Sequence, residues 1–147
     1  MNSEEIWQLI TGRAARFGDR NPQQFQLLVA RLQRVPPHEV ARGLLAIFTK
    51  GEPPPAGSPM QELAGRLLAE LAPAAEFDLI AVLRASLARY ELSVEQFPLY
   101  LAFVFGRECV LSALAHLESE PLSQVEHRSL KTLRFWLSDS QALNNGP

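Results

Sequence analysis

The sequence contains a single cysteine, Cys109, which excludes an internal disulfide and fits a reducing compartment. Long hydrophobic runs are missing as well. The longest, Leu99 to Phe105, has seven residues, against the ~20 that a membrane-spanning helix needs. The opening residues, MNSEEIWQLI, hold acids where a secretory leader carries bases. A cytoplasmic protein with no membrane association is therefore expected. Glycine is scattered, and none of the eight belongs to a phosphate-cradling loop. No serine lies on the glycine-flanked elbow that presents a nucleophile. Charge of one sign is not in strong excess either. The net charge of −2 argues against broad electrostatic attraction to nucleic acid or to an anionic membrane.

What is present is a globular composition. The apolar fraction is 47%, and 147 residues suit one domain able to bury a core without staples. Charge is distributed unevenly. Residues 1–50 carry seven basic and four acidic side chains, a net of +3, whereas residues 51–147 carry seven and twelve, a net of −5. Arginine supplies twelve of the fourteen basic groups.

Helical punctuation runs the length of the chain. Asn2 with Glu5 forms a capping box ahead of Ile6, Trp7, Leu9 and Ile10. Gly18-Asp19 ends that helix, and Asn21-Pro22 reads as an N-cap followed by proline in the first turn. Phe25, Leu28, Val29 and Leu32 recur at helical spacing. Pro36-Pro37 opens a third helix striped by Val40, Leu44, Ile47 and Phe48. The segment 52–58 is a proline-rich loop. Ser58 with Gln61, Ser93 with Gln96, and Ser123 with Glu126 each read as a further helix start. A fifth helix is expected over 74–90, apolar on more than one side and therefore central. Pro98 and Gly106 predict a kinked helix, or a short one joined to a longer one. Six to seven helices result: an N-terminal helix over 3–16, hairpins over about 21–50, 59–91 and 93–138 within a single domain 1–138, and a disordered tail at 139–147.

An internal repeat underlies the hairpins. At an offset of 35 residues, FQLLVARL (25–32) faces MQELAGRL (60–67) and LLAIF (44–48) faces LIAVL (79–83). Gln26/Gln61, Leu28/Leu63, Arg31/Arg66 and Leu32/Leu67 are identical pairs. In hairpin spacing, turn prolines and these paired motifs, the segment from Asn21 to Leu137 resembles the HEAT- and armadillo-like helical repeats. The resemblance implies an all-α array of stacked antiparallel hairpins with a curved surface for partners. A compact orthogonal helical bundle is the alternative.

Chemistry-bearing constellations are few. Cys109, His116 and Glu120 share one helical face and offer three metal-ligand types, but Cys109 is followed by Val110 and Leu111 and reads more simply as a small packing residue. No metal, cofactor or catalytic group is assigned. The arginines point to binding. Arg31 and Arg66 are equivalent in the repeat, and with Arg34 and Arg42 they offer forked donors for an acidic partner or a phosphate backbone. Trp136 is a candidate interface anchor. The expected function is a non-catalytic protein–protein interaction or adaptor module, such as a small scaffold, an assembly factor or an immunity-type protein. A nucleic-acid-binding helical subunit using the N-terminal arginines is the alternative.

Overall fold

The computed structural model describes residues 1–144, with side chains over 1–138. Eight helices make up the described residues, and no strand occurs among them. In order they are α1 (Ser3–Phe17), α2 (Pro22–Leu32), α3 (Pro37–Thr49), α4 (Ser58–Leu71), α5 (Leu79–Ser86), α6 (Gln96–Phe105), α7 (Arg107–Glu118) and α8 (Gln124–Asn144). The tail expected at 139–147 falls outside the described side chains, and residues 145–147 lie outside the described residues altogether. Among the described residues, no single helix is long and apolar enough to cross a membrane.

The all-α expectation holds, with one helix more than expected. The extra helix comes from Gly106, whose φ of 89° lies where an L side chain is disfavoured. The chain turns there by 112° between α6 and α7, so the segment 93–138 holds three helices and not a hairpin pair. Pro98 causes no break, because it lies in the first turn of α6, where its missing N–H has no intrahelical partner to lose.

Helix starts divide into two kinds. At α1 the capping box is complete, with Glu5 N–H donating to Asn2 Oδ1 at 2.8 Å and Asn2 N–H to Glu5 Oε1 at 3.2 Å. Asn21 caps α2 through Gln24 N–H at 3.1 Å, and Ser123 and Glu126 cap α8 reciprocally at 3.0 and 3.1 Å. Ser58 and Ser93 do not cap. The Ser58 hydroxyl donates to Glu91 at 2.8 Å. Ser93 meets Glu62 and Glu91 at 2.8 and 2.9 Å. The fifth helix is also shorter than the span 74–90. Ala72 takes a left-handed conformation, residues 73–78 are irregular, and Asp78 caps α5 by accepting from Ala81 N–H at 3.1 Å.

Burial follows from packing. α3 and α4 contribute more buried residues than α5 and are the central helices. α3 packs on α1, α4 and α5, and α4 also packs on α1 and α6. Close approach of α1 to α3 depends on Gly43, where a Cβ would stand 2.6 Å from Ile6 side-chain atoms. α6, α7 and α8 pack mutually, and α7 also meets α5. The principal packing pairs include neither α2 with α3 nor α4 with α5, the two hairpins of the repeat, and α2 leans chiefly on α4. One contiguous apolar core runs from Ile6 to Leu137.

Candidate interaction surface

The N-terminal helices explain why a surface is left open. α1 buries Ile6, Ile10 and Ala14, and α2 buries Leu28, Val29 and Leu32. Both helices are drawn toward the core rather than onto each other, and α1 with α2 is not among the principal packing pairs. Their outer flanks are linked by the Arg13 guanidinium, which donates to Gln24 Oε1. Two adjoining clefts result. One, of about 410 Å³, is lined by Arg13, Leu27, Leu28, Ala30, Arg31 and Arg34. The other, of about 360 Å³, is lined by Leu9, Gly12, Arg13, Arg16 and Phe17. Arg13 lines both, so the two clefts adjoin at that side chain and are taken together as the trough.

Apolar side chains and arginines line the trough together. Leu27, Ala30, Arg31 and Arg34 follow the i, i+3, i+4, i+7 pattern of a single helical face, and all four are exposed. Leu27 stands 59% exposed. At Gly12 a Cβ would meet nothing within 4 Å. Between residues 9 and 34 the chain holds five arginines and one acid, Asp19. Asp19 pairs with Arg20 at 3.7 Å, and its carbonyl oxygen accepts from Arg66. Arg13, Arg16, Arg31 and Arg34 have no carboxylate within ion-pair distance among the described residues.

The expected binding residues separate into three settings. Arg31 and Arg34 come together in the trough lining. Arg42 is exposed on α3 and lines a different cleft, beside Trp7, Lys50 and Phe77. Arg66 and Trp136 make internal contacts. The Arg66 guanidinium lies 4.3 Å from the Phe25 ring centroid and closes the α1–α2 turn through Asp19, while Trp136 Nε1–H donates to the Leu92 carbonyl at 2.9 Å. Sequence reasoning did not pick out Arg13, Arg16 or Leu27. The density of arginine over 9–34 was the available signal, diluted by averaging over residues 1–50.

Chemistry elsewhere is quiet. Cys109 is exposed, and Glu120 is held by Arg84 at 2.6 and 3.2 Å. That hydrogen bond, with the guanidinium charge, holds the Glu120 carboxyl below its ordinary range. No group of three or more His, Cys, Asp or Glu is arranged to hold a metal among the described residues. Burial pushes the phenols of Tyr90 and Tyr100 up, the latter to about 12, and both donate to backbone carbonyls, of Val94 at 2.7 Å and of Pro73 at 2.6 Å. They act as bolts for the fold.

No protein-family model, curated protein or solved structure matches this chain. The trough therefore rests on its own geometry.

Proposed function

We propose that the chain is a non-catalytic protein-interaction module, a small adaptor that receives a partner protein in the trough between α1 and α2. The observation that carries this reading is the exposed stripe Leu27, Ala30, Arg31 and Arg34 beside Arg13. An exposed leucine beside arginines that have no carboxylate partner among the described residues supplies the apolar centre and charged rim of a protein interface. The arginines alone would also suit a phosphate backbone. Leu27 favours protein, because phosphates bring no apolar surface to cover it, and the net charge of −2 opposes general attraction to polyanions. The free, exposed thiol of Cys109 accords with a cytoplasmic setting.

We read the architecture as a compact orthogonal bundle. A stacked array of HEAT-like hairpins would pack α2 on α3 and α4 on α5. Instead α1 and α4 are the main neighbours of α3, so the 35-residue repeat reads as repeated amphipathic sequence without a repeated hairpin. Binding then uses an end of the bundle rather than a concave array surface.

The test is co-purification from cells that make the protein naturally, comparing wild type with the double variant Leu27→Asp, Arg31→Glu. A partner retained by wild type and lost from the folded variant is expected. A partner retained equally by both places the interface elsewhere.

A further inference from the structure

Resting on the reading of the α1–α2 trough as a docking face, we infer that its occupant is an acidic amphipathic helix of a partner protein. The trough lies along two helices that do not pack closely on each other, which leaves room for the ridge of a third. Leu27 and Ala30 in one cleft and Leu9 in the other are available to apolar anchors spaced at i, i+3 and i+4. The trough's lining also carries Arg13 and Arg16 from α1, and Arg31 and Arg34 from α2 and the turn that follows it. A helix seated there places apolar residues on Leu27 and carboxylates on both flanks, where guanidinium forks bind them in pairs. Charge complementarity selects an acidic occupant and rejects a basic one. The apolar part of the lining disfavours an occupant that brings charge alone, such as nucleic acid. The remainder of the chain carries a net negative charge, which steers the acidic helix toward this end of the molecule.

The probe is a designed peptide of about four helical turns, with leucines at i, i+3, i+4 and i+7 and glutamates on both flanks. Controls are a sequence-scrambled peptide of the same composition, a charge-reversed peptide with lysine for glutamate, and a short single-stranded DNA of equal net charge. Affinity is read by fluorescence anisotropy, and the site by amide chemical-shift changes. The acidic amphipathic peptide is expected to bind and to shift residues of α1 and α2. Leu27→Ala and Arg31→Glu should each weaken it about tenfold, while Arg42→Glu, an equal change of charge at another cleft, should leave it nearly unaffected. Equal binding of the scrambled peptide, or tighter binding of the DNA, overturns the inference, as does absence of binding at low salt. A natural partner lost from the Leu27→Asp, Arg31→Glu protein but insensitive to Arg31→Glu alone would leave the interaction module standing and remove the acidic helix.

Discussion

Phe48 and Phe97 stack with 4.3 Å between ring centroids and 12° between planes, and both are fully buried. They join α3 to α6 across the middle of the core. Phe97→Ala should cost roughly 3–5 kcal/mol, the transfer term plus the cavity left by a ring whose neighbours are fixed. Denaturant unfolding measures this, and a loss under 1 kcal/mol would mean the site collapses freely. Gln61 is the polar counterpart. It is wholly buried, yet its amide donates to the Arg89 carbonyl at 2.6 Å and accepts from Glu91 N–H at 2.8 Å. Gln61→Ala leaves both backbone groups unpaired and should destabilise by roughly 1–3 kcal/mol. A neutral result would show that water reaches the 89–91 turn. Core residues such as Phe48 were legible in the sequence, since helical spacing marks the side they face. Gln61 was legible as half of a repeated pair and as a capping partner of Ser58 but not in its buried role, because the two backbone groups it serves lie 28 and 30 residues away.

At the level of the helices, local signals succeeded where the side chain had no better partner. Asn2, Asn21 and Ser123 cap as their sequences indicate. Ser58 and Ser93 have the same local pattern, but their hydroxyls are taken by Glu91 and Glu62, contacts that local spacing does not encode. Asp78 is the converse, a cap obscured in sequence by the alanines and phenylalanine before it. Gly106 sets the corner between α6 and α7. A Cβ there meets nothing within 4 Å, so the cost of Gly106→Ala is conformational alone, about 1–3 kcal/mol, and thermal unfolding reads it directly. Beyond that corner, Arg134 binds Glu118 at 3.1 Å and Arg84 binds Glu120, tying the end of α7 to α8 and to α5. Hydrogen bonding to Arg134 lowers the Glu118 carboxyl as Arg84 lowers Glu120. Folded-state values below the unfolded ones mean that this stabilisation is present above the ordinary glutamate pKa, about 4.3. It is lost as the pH falls through the folded-state values. Both pairs are solvent-exposed, so the effect is small and screened by salt. Acid titration of stability should be shallower in the Arg84→Ala, Arg134→Ala protein than in wild type, and superimposable curves would show the pairs to be energetically idle.

For the whole molecule, a contiguous core predicts one cooperative transition. Trp7 on α1 and Trp136 on α8 both pack against that core, at opposite ends of the chain. Tryptophan fluorescence and far-ultraviolet circular dichroism should therefore trace coincident unfolding curves, and two resolved steps would show separately folding units. The all-α character was legible in sequence because helical periodicity and caps are local. Which helices pack together was not, because α2 on α4 and α1 on α3 are decided by long-range fits such as Ile6 against Gly43. The trough inherits that uncertainty. Arg31 and Arg34 were visible as candidates, but their joining with Arg13 and Leu27 depends on how α1 and α2 are placed. The most direct measurement is site-specific photocrosslinking in cells that make the protein naturally, with the probe at Ala30 in the trough lining or at exposed Ala115 on α7. A docking face between α1 and α2 predicts a discrete crosslinked partner from position 30 and none from position 115. Capture at 115 with none at 30 would contradict it.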